Sequence, residues 1–383
     1  MASSPEPTAP ERAGGFVPPP YPYDRLAQLA PLAARHDGGV VDLSVGTPMD
    51  PPPAAVVAAL GGSDAERGYP ASIGSAALRD AFAGWIDHRF GVTISPDHLG
   101  ACIGTKEFVA STPHLLRLRT PQRDTVLYPA VSYPTYAMGA TLAGCRAVPV
   151  PPRADGALDL SAIDADDAER SLLLWSNSPS NPTGALDDLD AVVAWGREHD
   201  VPVFSDECYA EFTWDGPPAT ALQHGLDGVV AVHSLSKRSN LAGVRVGCYA
   251  GDPELVVYLQ EVRKHMGMMV PGPAQAAAVA ALSDDAHVAE QRDRYWTRLE
   301  RMADVLGRWS GRSIPLPSGG FYLWFDVGDG WDFAERLMAA GGALVSPGDF
   351  YGPDGHRHVR VAVVQPDDRI ELVAARLRSG DQP

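Results

Sequence analysis

Between residues 40 and 282, short apolar runs alternate with helical stretches, and no other feature of the chain constrains its fold as tightly. Helical stretches at 76–90 and 186–199 separate β-rich runs at 172–174, 201–205 and 228–233. Runs that are apolar throughout are buried on both faces, the condition of a mostly parallel sheet covered by helices. Beyond Asp284 the pattern changes. Residues 286–309 read as a long charged amphipathic helix, followed by strand-like 320–325 and 357–364 and a final helix from Asp367. The sequence therefore predicts a large α/β domain over 40–282. A smaller α+β domain is expected over 283–383, completed by 21–39, with 1–20, rich in proline and alanine, as a flexible arm.

Open α/β sheets bind ligands beyond the carboxyl ends of their strands, so residues just past each apolar run carry the chemistry. Lys237 ends Ser234-Leu235-Ser236-Lys237, directly after the run 228–233. A lysine poised there suits a Schiff base, while the Ser234 and Ser236 hydroxyls and Arg245 suit a phosphate. Alone, such a lysine reads as an exposed loop residue; its companions decide the matter. Asn181, in a proline-flanked loop after 172–174, can donate to a phenolate-like oxygen. Asp206, at the end of 201–205, can keep a pyridine nitrogen protonated and make the ring an electron sink, and Tyr209 can bond the ring oxygen. The competing reading of Asp206 is a helix N-cap. Gly104-Thr105-Lys106 enters a predicted helix whose N–H groups can receive phosphate. Tyr133 can stack on a ring. Arg360, inside a β-patterned run, matches a carboxylate with its planar fork, and an internal salt bridge is the alternative.

These motifs, in this order and at these spacings, resemble the class I/II aminotransferases of the fold-type I pyridoxal-phosphate superfamily from about Asp42 to Arg378. The resemblance implies a large domain with a mostly parallel seven-stranded sheet and pyridoxal 5'-phosphate as cofactor. It implies that Lys237 binds the cofactor and shuttles the proton, Asp206 contacts the pyridine nitrogen, Asn181 and Tyr209 contact O3′, and Tyr133 stacks on the ring. Ser234, Ser236, Arg245 and Gly104-Thr105-Lys106 would hold the phosphate. Arg360 would take the substrate α-carboxylate, helped by the backbone at Gly46. Tyr69 looks like the family tyrosine that reaches the neighbouring subunit's phosphate, which implies a homodimer. Segments around 42–48, 103–107, 263–271 and 347–352 further resemble N-succinyldiaminopimelate aminotransferases. They imply glutamate as donor and N-succinyl-2-amino-6-oxopimelate, in lysine and diaminopimelate synthesis, as acceptor. The alternative is an aminotransferase, lyase or oxidase of specialised amino-acid metabolism, since the cofactor motifs serve all three. Arg263 and Lys264 are candidates for a second carboxylate; a solvated helix face explains them equally well.

Composition sets outer bounds. The 383 residues, 45% of them hydrophobic, suffice for a large domain plus a smaller one. A net charge of −17, from 48 acids against 31 bases, argues against nucleic-acid and anionic-membrane partners. Cys102, Cys145, Cys208 and Cys248 lack metal-site spacing, so neither a metal nor a disulfide framework is expected. The N-terminus lacks the basic start and apolar core of a signal peptide, and a cytoplasmic protein is expected. A regulatory module with a DNA-binding head finds no room in that short acidic N-terminus.

Overall fold

A computed structural model describes residues 15–33, 36–62 and 64–379. Of the expected arm, 1–14 lie outside the described residues; 15–20 are exposed and carry no helix or strand. Strand β1 is Val41–Asp42, followed by β2 (Leu99–Cys102), β3 (Thr125–Pro129), β4 (Arg146–Val150), β5 (Ser171–Asn177), β6 (Val203–Asp206), β7 (Val229–Ser234) and β8 (Gly247–Gly251). The last seven form one sheet in the order β2-β8-β7-β6-β5-β3-β4, parallel except for β8, which runs against both of its neighbours.

The apolar runs predict this burial well. In β7, Val229 and Ala231 pack with the helices Ala76–Phe90 and Gly272–Leu282, while Val230 and Val232 pack with Thr105–Arg119 and Pro253–His265. Alternate side chains of one strand thus enter two different cores, and each fully buried aliphatic contributes about 1.5–3 kcal/mol. Helix boundaries follow local chemistry. The Ser75 hydroxyl accepts from the Leu78 N–H at the start of Ala76–Phe90, and Gly91 ends the helix in the left-handed conformation.

The C-terminal unit holds β9 (Tyr322–Asp326), β10 (Ala343–Leu344), β11 (Ser346–Pro347) and β12 (His358–Ala362). Its antiparallel sheet has the order β11-β12-β9, and β1 pairs in parallel with β10. The helices Ala286–Ser310, Gly330–Gly341 and Asp367–Ser379 pack on it around Leu299, Met302, Phe333, Leu337 and Val373. Leu26 and Leu29, from the 3₁₀ helix Pro22–Leu29, enter the same core. Residues 41–42 therefore pair within the C-terminal unit, although they fall inside the range expected for the large domain. A two-residue strand is too short to show a periodicity. No helix among the described residues is long and apolar enough to cross a membrane, and no group of metal-ligating side chains occurs among them.

Candidate active site

In the parallel ladder, Asn177 stands beside Asp206, and Asp206 beside Val232, so the ends of β5, β6 and β7 deliver Asn177, Asp206 and Ser234 along one edge. A cavity of about 620 Å³ lies there. It is lined by Gly46, Thr105, Lys106, Tyr133, Asn181, Asp206, Tyr209, Ser234, Ser236, Lys237, Arg245 and Arg360, twelve of the fourteen residues expected from the sequence. Gly104 sits just outside as the N-cap of the helix Thr105–Arg119. Tyr69 is not in this chain's cavity and is 99% exposed.

Lys237 lies on the short helix Leu235–Arg238, whose N-cap Ser234 accepts from the Ser236 N–H, and its ammonium donates to the Gly46 carbonyl. Burial lowers the Lys237 amine to about 8, and the Arg360 and Arg245 charges push the same way, against the acids Cys208 and Asp206. Gly46 must be glycine here: a Cβ would lie 1.9 Å from the Tyr322 hydroxyl oxygen.

Asp206 is buried, which raises its carboxyl, but the Tyr136 hydroxyl donates to it at 2.8 Å and the Cys208 N–H at 3.3 Å, both favouring the ionised form. The Asn177 side chain fixes the loop by donating to the Asp206 carbonyl at 2.9 Å and accepting from the Asn181 N–H at 2.8 Å. Asn181 spends its carbonyl oxygen on Arg360 at 2.7 Å, and no hydrogen bond engages its side-chain N–H₂ among the described residues. The Tyr209 and Tyr322 hydroxyls are 2.8 Å apart, and burial raises both phenols, Tyr322 to about 12.

Two arginines face the cavity without a carboxylate. Arg245 donates to the carbonyls of Ala242 at 2.9 Å and Ile103 at 3.3 Å, and its backbone is left-handed at φ +61°. Such a conformation is costly for an arginine and persists where the surroundings impose it. Gly104, at φ +73°, leaves room for that guanidinium; a Cβ there would lie 2.2 Å from Nη2. No side chain caps the helix beginning at Thr105, so its N–H groups, Thr105, Ser234, Ser236 and Arg245 converge as anion donors. Arg360 is 1% exposed, contacts Asn181, the Tyr23 hydroxyl at 3.1 Å and the Ser44 carbonyl, and leaves its Nε unpartnered. The internal salt bridge weighed for it does not form among the described residues. A buried guanidinium without a counter-ion is costly, and a substrate carboxylate would relieve it.

This donor set fits a phosphorylated pyridine aldehyde: anion donors at one end, a buried acid at another, an amine of lowered basicity between. Arg263 is corrected by the structure. It is buried in a two-pronged pair with Glu107 at 2.7 and 2.8 Å, away from the cavity lining, because Phe108 and Tyr249 wall it in. Lys264 is exposed and 3.5 Å from Glu261. The sequence reading missed four lining tyrosines: Tyr21, Tyr23, Tyr136 and Tyr322. Tyr21-Pro22-Tyr23, an aromatic pair in a proline-rich stretch, was the available signal for two of them.

Comparison with known proteins agrees with this geometry. The family model for aminotransferase class I and II matches residues 38–377. A Mycobacterium tuberculosis chain described as a probable aminotransferase is 44% identical, over 96% of this chain and 88% of its own length. The 4-dedimethylamino-4-oxo-anhydrotetracycline transaminase OxyQ of Streptomyces rimosus is 42% identical over 94% of this chain and 99% of its own. Among solved structures, a probable N-succinyldiaminopimelate aminotransferase from Thermus thermophilus superposes with a TM-score of 0.82 at 30% identity, covering 93% of this chain and 99% of that one.

Proposed function

The chain belongs to the class I and II aminotransferases, enzymes that depend on pyridoxal 5'-phosphate, and on that premise we propose that it moves an amino group from glutamate to a carbonyl acceptor. One observation carries the reading: Lys237, its amine lowered to about 8, faces a cavity with two arginines that lack carboxylate partners, one for a phosphate and one for a substrate carboxylate.

The bound cofactor supplies an electron sink for the charge that develops at the substrate's Cα. The protein's residues do the rest. Thr105, Ser234, Ser236, Arg245 and the helix start at Gly104-Thr105-Lys106 would hold the phosphate. Asp206, whose carboxylate form the Tyr136 hydroxyl and the Cys208 N–H favour against burial, would meet the pyridine nitrogen, while Asn181 and Tyr209 would meet the ring oxygen and Tyr133 the ring. Arg360, with the Gly46 backbone, orients the substrate by its α-carboxylate. Lys237 would hold the cofactor through its amine and would serve as the base that takes the proton from the substrate's Cα.

Two acceptors fit the proposal. N-succinyl-2-amino-6-oxopimelate, in lysine synthesis, draws support from the likeness to the Thermus thermophilus structure. A carbonyl of specialised metabolism draws it from the 42% likeness to the transaminase of Streptomyces rimosus and from the aromatic mouth of the cavity. A panel of keto and semialdehyde acceptors, assayed with the glutamate-treated holoenzyme, decides between them. Absence of 2-oxoglutarate release in the glutamate half-reaction contradicts the whole reading.

The protein is further proposed to act as a cytoplasmic homodimer. Exposed Val45, Met49, Val57 and Tyr69 offer apolar surface for a second copy. Mixing Tyr69→Ala with Lys237→Ala subunits regenerates activity if each site takes Tyr69 from the other chain. Heterodimers without recovery, where Tyr69→Ala is itself inactive, assign the site to one chain.

A further inference from the structure

Beyond the places for phosphate, ring and α-carboxylate, the cavity extends to a mouth formed by the N-terminal segment. Tyr21, just before the 3₁₀ helix Pro22–Leu29, reaches across it: its hydroxyl lies 3.0 Å from that of Tyr133 and accepts from Lys106 Nζ at 3.1 Å. The Lys106 ammonium also sits over the Tyr21 ring at 4.7 Å and the Tyr133 ring at 5.5 Å. Tyr21 leans on Tyr23, with centroids 5.6 Å apart and planes at 31°, and Tyr23 is held by the Tyr351 hydroxyl at 2.8 Å and by Arg360. The segment is anchored on the C-terminal unit by Arg25, which pairs with Asp349 at 2.9 Å and covers Trp331.

Three features set what this mouth takes. Arg245, Arg360 and Lys237 are committed elsewhere, so among the described residues that line the cavity Lys106 is the one cation left for the far end of a substrate. That ammonium already rests against two ring faces and a phenol oxygen, so a flexible carboxylate arm finds one partner there and aromatic walls otherwise. Tyr21 is 41% exposed, so part of its ring stays open at the entrance of the cavity beside the Tyr23 ring and the Lys106 ammonium. A flat ring can pack against that open part, and an oxygen on its rim meets the ammonium.

Resting on the aminotransferase reading and deepening it, we propose that Tyr21, with Lys106 and Tyr133, forms the subsite for the distal part of the substrate. It selects a flat ring bearing a hydroxyl or enol oxygen over a second carboxylate. Tyr21 is thereby a specificity-determining residue.

The test uses binding, so it stands apart from turnover. Calorimetry on the cofactor-loaded protein compares 3-(4-hydroxyphenyl)propionate with glutarate. Each offers Arg360 one carboxylate; the first carries a hydroxylated ring, the second another carboxylate. The ring probe binds about tenfold tighter or more to the unaltered protein, Tyr21→Ala reduces that preference about tenfold, and Tyr21→Phe, which keeps the ring, stays within about threefold. Glutarate binding as tightly as the ring probe, a preference untouched by Tyr21→Ala, or Tyr21→Phe behaving like Tyr21→Ala each overturns the proposal. A missing glutamate half-reaction alongside the predicted binding pattern defeats the proposed glutamate donor and leaves the ring subsite standing.

Discussion

The floor of the cavity and its mouth are held by different forces. At the floor, Asn177, Asp206 and Ser234 end adjacent parallel strands, so ladder hydrogen bonds set their spacing before any side chain acts. At the mouth, Tyr21 and Tyr23 come from a short 3₁₀ helix and its approach, and phenol hydroxyls, ring contacts and one ammonium place them. The first arrangement is rigid and suits chemistry that tolerates little displacement; the second can be altered residue by residue. Substitutions at the floor should therefore destroy reaction steps, and those nearer the mouth should redistribute affinity.

The largest effect tests the floor at its centre. Lys237→Ala removes the proposed covalent anchor and base, and steady-state turnover should fall by about 10⁴-fold or more while the fold persists. Turnover near that of the unaltered enzyme would break the comparison outright.

Asp206→Ala comes next. It removes the acid proposed to meet the pyridine nitrogen and leaves the proposed phosphate donors in place, so kcat should drop by about 10²-fold or more and cofactor affinity much less. Equal losses in both would make Asp206 a structural element of the loop.

Arg360 bridges floor and mouth, since it touches both Asn181 and Tyr23. Arg360→Lys keeps the charge but loses the planar fork. KM for glutamate should rise about 10- to 100-fold, with the cofactor's absorbance unchanged. An unchanged KM removes Arg360 from substrate binding.

The smallest effect sharpens the picture of the floor. Tyr136 donates to Asp206 and so lowers its carboxyl against the upward push of burial. Tyr136→Phe should let Asp206 hold its proton to higher pH. The acid limb of the kcat profile then moves to higher pH, and activity falls on the acid side of the profile but little on its alkaline side. A shift towards lower pH contradicts the assigned donor.

The same division governs what the sequence made legible. Long apolar runs bounded by turn residues reveal buried strands, and the residues that follow them, Asn181, Asp206 and Lys237, come together because parallel strands end on one edge. The helical stretch 76–90 was equally readable, and the structure shows Ser75 and Gly91 capping it. Pairing of β1 with β10 was not, because two residues carry no period and the partner lies about three hundred residues away. Nor was the mouth: Tyr21 meets Lys106 and Tyr133 across a long sequence separation, and no local pattern encodes a phenol-to-phenol contact. Arg263 shows the converse failure, since a charged residue on a helix gives no sign that Glu107 and two aromatic rings bury it.

The central claim is that Lys237, and no other amine, carries the cofactor. Borohydride reduction of the holoenzyme converts an imine at the attachment point into a stable amine, and peptide mass spectrometry then locates the added phosphopyridoxyl group. The account predicts the label on Lys237, in the peptide that contains Ser234-Leu235-Ser236. A label on Lys106, on another lysine, or on none would contradict it.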